Sequence, residues 1–509
     1  MKSEKSHLNR RKFIGGVSSA LVGITVVPRQ VLGGVDYIPP SDKINIAYIG
    51  CGTQGLREMP DLLEIPEAKI TAVCDPQKYA SGYFDWSPKG LLNSLRKTID
   101  NPNWITGGDG KIPGGLNNGK EVVEAFYAKS NQNGKYKGCT AYTDFREMFE
   151  KEKDIDAVKI MATDHLHGVM AASAIKKGIH TTMHKPIANR LEEGFNVIEM
   201  AKKTNVITHL IPWESNGSMD QIMAWVNGGV IGPLKEVHNW SNRPVWPQYA
   251  NKPIETPALP KGFDWDLWLG PEENRPYHPN YTNMVFRGWY DFGGGAMADM
   301  GHYSLWSVFK ALQLENPTII EHNRSHVCGL RDNATAFRVN NDYSFPFASS
   351  VRFKYPANNT RPAVDLIWYD GGVRPAVPSE FYEQDKELPL EGMMFVGDEG
   401  IIMSSDFMLK DPFVLSGNKK LAGELNKNVK YERVSGIQRF VEGVKKGEQL
   451  EGSFRNAWPI TEAVNLYATA LRSGKNLKYD ASNRKITNVI EANKYLTRDY
   501  RKGWSLDEV

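Results

Sequence analysis

Apolar positions in this chain of 509 residues come in short runs, each closed by a glycine turn or a charged residue and followed by an amphipathic stretch. That alternation is the pattern of an α/β protein. Lys43-Ile44-Asn45-Ile46-Ala47-Tyr48-Ile49 reads as a buried strand, Gly50-Cys51-Gly52-Thr53-Gln54-Gly55 as a tight turn, and Leu56-Arg57-Glu58-Met59 as the opening of a helix. A second strand, Lys69–Cys74, ends in Asp75. Tyr142-Thr143 reads as a short strand, with Asp144 as the N-cap of the helix after it. Asp156–Ala162 is a further buried strand. It leads through Thr163-Asp164-His165-Leu166-His167 to a helix over Val169–Lys177 that Gly178 closes. Ile179–Met183 is the next strand, with His184-Lys185-Pro186 at its C-terminal end. Beyond it, helices are expected over Leu191–Thr204 and Ser218–Gly228. Strands are expected over Lys235–Trp240, Thr318–His322, Thr335–Val339, Ala348–Tyr355 and Val364–Tyr369.

The first series predicts a parallel sheet with crossover helices, a Rossmann dinucleotide-binding domain over residues 43–187. The second has long strands and few crossovers, which predicts a C-terminal α/β domain over 188–509 with an open, largely antiparallel sheet. Roughly 60 residues separate Asp75 from the next strand, where a whole βαβ unit needs about 30. Residues 79–138, with glycine runs at Gly107–Gly110 and Gly114–Gly119, are therefore expected to be largely insertion, a loop with one or two helices.

Composition narrows the class. Hydrophobic residues make up 41% and charged residues 24%, enough for a real core. The net charge of +3 is an N-terminal effect. Residues 1–34 hold Lys2, Lys5, Arg10, Arg11, Lys12 and Arg29 against Glu4 alone, and the rest carries 56 basic and 58 acidic residues. No nucleic-acid partner is expected from that balance. Arg10-Arg11 directly precede Phe13–Val27, which lacks any charge and is too short to span ~30 Å of hydrocarbon as a helix. The pattern is that of a twin-arginine signal peptide over residues 1–34, so a periplasmic protein with no membrane attachment in its mature form is expected. Four scattered cysteines argue against a disulfide scaffold or a zinc site. Thirteen tryptophans suit stacking on sugar faces, and equally an ordinary large core.

The glycine turn carries the first chemistry. Strand before and helix after give Gly50, Gly52 and Gly55 the setting in which backbone N–H groups, those of Thr53 and Gln54 among them, cradle a pyrophosphate. Asp75 stands where a carboxylate accepts both ribose hydroxyls and repels a 2′-phosphate. With Pro76-Gln77 following and no arginine beside it, NAD is favoured over NADP.

These motifs, with Asp164-His165-Leu166-His167, Lys185-Pro186 and Gly293-Gly294-Gly295 leading to Asp299-Met300-Gly301-His302-Tyr303, resemble the glucose–fructose oxidoreductase/inositol dehydrogenase (Gfo/Idh/MocA) family. Val237–Gln248 and Tyr500–Trp504 resemble its secreted bacterial branch. The chain departs from the family pattern in three places. His184 stands where the family has Glu before Lys-Pro, Thr163 where it has Pro, and the family's final His falls on Tyr303 with His302 one residue earlier. The resemblance implies hydride transfer between a sugar or polyol carbon and NAD, with Lys185 as the candidate base, and Asp299 with His302 as an orienter–base pair or Tyr303 as a proton donor beside it. It puts Asp164, His167 and His184 on the cofactor side. Trp213, Arg243 and Trp246 are expected to line a sugar subsite. Although His165, His167 and His184 lie close in sequence, no metal is expected, because each falls at a sheet-end position beside the cofactor. The expected protein is an NAD-dependent oxidoreductase of a sugar, glycoside or polyol, homo-oligomeric, with its cofactor retained. A redox-neutral NAD-dependent glycoside hydrolase and a non-catalytic sugar sensor are the alternatives.

Overall fold

A computed structural model describes residues 38–83, 87, 89–105, 112–131, 133–211, 217–406, 408–426 and 435–509; Arg10-Arg11, the rest of the expected signal and Trp213 lie outside them. Of the first of two units, the described residues 38–43 hold the short 3₁₀ turn Pro40–Asp42. Ile44–Val509 form the other.

Within that second unit six strands make a wholly parallel sheet: β1 Ile44–Ile49, β2 Ala68–Cys74, β3 Thr140–Tyr142, β4 Ala157–Ile160, β5 His180–His184 and β6 Thr208–Ile211, in the order β3-β2-β1-β4-β5-β6. Ile46, Ala47, Tyr48 and Ile49 are all buried, because helices cover both faces of such a sheet. Helix α1 (Thr53–Leu63) starts directly after Gly52. Helix α2 begins at Asp164, earlier than its apolar pattern suggests, and runs to Lys176. Gly178 closes it with a positive φ of 75°. Strand order reverses between β1 and β4, so the ends of β1, β4 and β5 open on one crevice, the place where such sheets bind ligands.

The segment between β2 and β3 contains a ribbon, Ala80–Tyr83 paired with Ile112–Gly114, and two helices, Gly90–Thr98 and Leu116–Ala128. The second helix packs on β2 and β3, where a crossover helix belongs. The additional material is therefore the ribbon and the first helix, less than the spacing suggests.

The second sheet has nine strands: β7 Leu234–Trp240, β8 Ile319–Arg324, β9 Ser349–Tyr355, β10 Val364–Asp370, β11 Gly392–Gly397, β12 Ile401–Ser404, β13 Phe413–Ser416, β14 Leu477–Asp480 and β15 Lys485–Ile486. Their order is β13-β12-β11-β7-β10-β9-β8-β14-β15, antiparallel except for β7 beside β10. β9 alternates buried and half-buried residues with period two, so one face is core and the other is not. Helices α3 (His302–Leu312) and α4 (Phe454–Ser473) pack together over this core. The strand expected over Thr335–Val339 forms, as Thr335–Arg338, but in a two-stranded ribbon with Cys328–Arg331. All four of its residues are exposed, so it has no apolar face to join the sheet. Among the described residues no helix is long and apolar enough to cross a membrane.

Candidate active site

The crevice at the ends of β1, β4 and β5 is lined by the glycine turn, Asp75, His167, His184 and Lys185 on the Rossmann side. Arg243, Trp246, Arg287, Asp299 and Tyr303 line it from the C-terminal domain. Most of the expected site residues thus meet in one cleft.

Two of the glycines are required by contact. Gly50 has φ 94°, and a Cβ there would lie 2.5 Å from the Met161 carbonyl oxygen. A Cβ on Gly55 would lie 2.0 Å from the Gly50 oxygen. The turn therefore delivers α1 with its first N–H groups facing the cleft and no side-chain cap. The buried hydroxyls of Thr53, at that N-terminus, and of Thr163, at the start of α2, have no partner among the described residues. Exposed helix-start donors, two orphaned hydroxyls and a carboxylate at the end of β2 fit a dinucleotide. Asp75 is bound on both oxygens, accepting from Cys51 N–H at 2.7 Å and from Gln77 N–H at 2.8 Å. Burial outweighs those donors and pushes it up to about 6. Tyr83, from the inserted ribbon, lies against Gly52, and sequence reasoning gave no sign of it.

Lys185 follows β5 and is 1% exposed. Its Nζ donates to Asp299 Oδ1 at 3.0 Å and also to the Asp299 carbonyl. Burial lowers the ammonium from 10.5 to about 8, against the opposing pull of Asp299. Asp299 is itself pushed upward by burial, but Lys185 and Arg287 prevail and hold it at about 2. Arg287 Nε lies 3.4 Å from Asp299 Oδ1, and its Nη1 contacts both oxygens of Asp164 at 3.1 Å. No motif announced Arg287.

Two expectations change here. Asp164 does not line the cleft. It is wholly buried, and its oxygens are taken by Arg287 and Gly294 N–H, so it anchors the arginine behind the cleft wall. His302 does not pair with Asp299 either. Met297–Gly301 forms a π-helical turn, whose wider repeat resets the phase at which α3 begins. His302 is left fully buried, with Nε2 3.4 Å from Thr461 Oγ1, and Tyr303, about 100° further round the helix, faces the cleft.

Tyr303 Oη lies 3.0 Å from His184 Nε2, and Lys185 Nζ sits 4.9 Å from the centre of the Tyr303 ring. The other nitrogen of His184 lies 3.1 Å from Oε1 of Glu58, on α1. A carboxylate thus stands beside His184, the residue found where a Glu before Lys-Pro was expected. The remaining histidines are committed elsewhere. His165 faces the carbonyls of Phe292 and Trp268, and His167 those of Pro186 and Ala162. Among the described residues no group of three His, Cys, Asp or Glu side chains could hold a metal. Trp246 is 2% exposed, and its indole N–H has no acceptor among the described residues.

Comparison with known proteins agrees with this architecture. The model of an oxidoreductase family, NAD-binding Rossmann fold, matches residues 109–211, downstream of the glycine turn. That of an oxidoreductase family, C-terminal alpha/beta domain, matches residues 218–326. Two segments of the chain thus match models of the Gfo/Idh/MocA oxidoreductase family, the first of them an NAD-binding Rossmann fold, and NAD is the cofactor. A "Glycosyl hydrolase family 109 protein 1" of Akkermansia muciniphila is 23% identical over 210 residues, 41% of this chain and 35% of that protein. A "Glycosyl hydrolase family 109 protein" of Shewanella baltica is 19% identical over 244 residues, 45% of this chain and 44% of that protein. The matches therefore span less than half of either relative. Among solved structures, the WlbA dehydrogenase of Bordetella pertussis, in complex with NADH and UDP-GlcNAcA, is 11% identical with a TM-score of 0.49 (86% of this chain, 99% of that one). The aldose-aldose oxidoreductase of Caulobacter crescentus, complexed with glycerol, is 14% identical with a TM-score of 0.44 (86% and 99%).

Proposed function

We propose that this protein oxidises a ring hydroxyl of a sugar, glycoside or polyol and keeps its NAD through the catalytic cycle. The observation that carries the reading is Lys185, an ammonium shielded from water, brought down to about 8, in the same cleft as the glycine turn. NAD, held by the turn and Asp75, supplies the two-electron acceptor. The chain's own residues handle the proton and the charge. The neutral amine of Lys185 takes the proton of the substrate hydroxyl, and the resulting ammonium faces the oxygen as negative charge develops on it. Asp299 orients Lys185, and Arg287 keeps Asp299 ionised. Trp246, buried in the cleft wall, keeps an indole N–H with no acceptor among the described residues, a donor suited to a sugar hydroxyl.

The twin-arginine pattern at Arg10-Arg11 leads us to place the protein in the periplasm, exported with cofactor already bound. Tyr83 over Gly52 supports retention. A dissociating dehydrogenase would lose its NAD there after one turnover, so the hydride must return to a second sugar or to the same one.

The second possibility is the basis of the hydrolase reading. There the oxidised sugar would lose its aglycone from a neighbouring position and then be reduced again. Tyr303 backed by His184 favours it, because such a cycle needs a second proton-handling group beside Lys185, as do the names of the two relatives. Aryl glycosides test both readings. Release of the aryl alcohol without net NADH supports the hydrolase, and accumulation of NADH with an intact glycoside supports the dehydrogenase. Tight sugar binding with neither product would leave a sensor.

A further inference from the structure

Lys159 is the anomaly of the parallel sheet. It sits in the middle of β4, among Ala157, Val158 and Ile160, and is 1% exposed. A buried ammonium there is costly and gives the sheet nothing in packing. Its Nζ lies 2.7 Å from Oε2 of Glu58. The other oxygen of Glu58 accepts from Gln54 Nε2 at 3.0 Å and is approached by His184 Nδ1 at 3.1 Å, at an angle short of a full hydrogen bond. Three side chains, from the glycine turn, β4 and the end of β5, thus converge on one carboxylate behind the cleft.

That carboxylate determines the state of His184. Burial acts upward on Glu58, but Lys159 and His184 outweigh it and hold it well below the usual carboxylate range. An ionised carboxylate only accepts, so the nitrogen facing it carries the proton. Burial lowers His184, against the pull of Glu58, so the ring is neutral at rest. Nδ1 is then N–H, and Nε2 has a free lone pair aimed at Tyr303 Oη, 3.0 Å away. The reverse tautomer would set a bare Nδ1 against a carboxylate.

We propose that Tyr303, His184 and Glu58 form a proton-transfer triad at the mouth of the cleft. Tyr303 is its catalytic residue, Glu58 its positioning residue, and Lys159 the counter-charge that keeps Glu58 ionised. Lys185 takes the proton of the carbinol; when the water that replaces a departing oxygen at the neighbouring position breaks its O–H bond, that proton forms a new O–H bond at Tyr303. The proton originally on Tyr303 passes to the lone pair of His184 Nε2. The imidazolium so formed keeps its Nδ1–H and is balanced by Glu58, which is not protonated. No electrons move along this path, since the oxidation of the carbinol carbon belongs to the nicotinamide. Reversal returns the proton to a departing oxygen. Lys185 and this triad then serve two different proton transfers on one substrate. The inference rests on the glycoside-cleaving form of the proposed function for the identity of that substrate.

The test needs no substrate. Nitrogen NMR is recorded on the purified full chain with ¹⁵N-labelled histidine rings, the His184 signals being assigned by their loss in His184→Gln. A neutral His184 protonated on Nδ1 is expected. Protonation on Nε2, donating to Tyr303, would overturn the proposal. Glu58→Met should abolish the Nδ1 preference. Glu58→Gln, whose amide oxygen still accepts, should keep it while lowering the pH at which His184 protonates by about one unit, the usual effect of losing an opposite charge at this range. The other groups around the ring, Lys185, Arg287, Tyr303, His167 and His302, are the same in both variants. If Glu58→Met does not fold, the wild-type tautomer and Glu58→Gln still decide. On whichever glycoside the protein turns over, Glu58→Gln should lower kcat about tenfold or more with KM and NAD binding unchanged, and Glu58→Met should lower it further. An unchanged kcat in either variant would refute the triad. If no glycoside reacts but the tautomer is as expected, the glycoside-cleaving reading has failed and the triad's geometry has not.

Discussion

Replacing Lys185 with Met should separate the cost of its charge from the use made of it. Its ammonium is held at about 8 instead of 10.5. At ~1.4 kcal/mol per pH unit, that makes the buried charge about 3 kcal/mol less favourable than an exposed one. The sign follows from proton counts. Between about pH 8 and about pH 10.5 the unfolded chain holds a proton on this residue that the folded protein has released, so stability rises with pH across that window. Wild type should gain about 3 kcal/mol there, and Lys185→Met should lack this gain. At neutral pH the variant should be as stable as wild type or more so, by up to about 3 kcal/mol, because Arg287, 3.4 Å from Asp299, remains to balance that carboxylate. Turnover should fall by about 10²–10⁴, the range for losing an acid–base group. Urea unfolding of both proteins at neutral pH and near pH 10, with bound NAD measured in parallel, reads all of this. A variant several kcal/mol less stable at neutral pH, or two proteins with parallel pH profiles, would make Lys185 a structural ion-pair partner and refute the reasoning.

Asp75→Asn should weaken NAD by about 1.5–3 kcal/mol in calorimetric titration through loss of its charge-assisted bonds. With Asp75 raised to about 6, wild-type affinity should also fall as pH drops through that value, and the variant's should not. Gly55→Ala puts a methyl group 2.0 Å from the Gly50 oxygen, so both NAD binding and Tm should drop, and an unaltered Tm would mean the turn can yield. Arg287→Met leaves Asp164 buried with Gly294 N–H alone, and denaturant unfolding should show a loss of about 3–5 kcal/mol. Tyr83→Ala should speed NAD release, read by stopped-flow fluorescence, with little change in stability.

What the sequence disclosed was whatever is local. The glycine turn, the strand-end Asp75 and Lys185-Pro186 each carry their chemistry within a few residues, and all three lie in the cleft. The sheet strands up to β5 were legible because they are apolar runs between glycine or charged stops. What it withheld depends on contacts distant in sequence. Glu58 meets Lys159 across 101 residues and Arg287 meets Asp164 across 123. A lysine in the middle of an apolar strand was the one sign of the first pair. The choice between His302 and Tyr303 was a question of helical phase, settled by the π turn before α3, which no residue pattern marks. Helix α4 also went unread: Pro459 lies within it, although Ser453 caps its start by accepting from Asn456 N–H.

The central claim is that this cleft transfers hydride between a sugar and an NAD it keeps. The most direct measurement is to purify the protein without added cofactor, dialyse it at length, add a panel of hexoses and glycosides, and follow the near-ultraviolet absorbance of reduced nicotinamide in a single turnover. Reduced nucleotide should form from the resident cofactor, up to one per chain, with at least one sugar, and should disappear when an oxidised sugar is supplied. A protein that emerges without nucleotide, and that forms none of the reduced species with any sugar even after NAD is restored, would contradict the account.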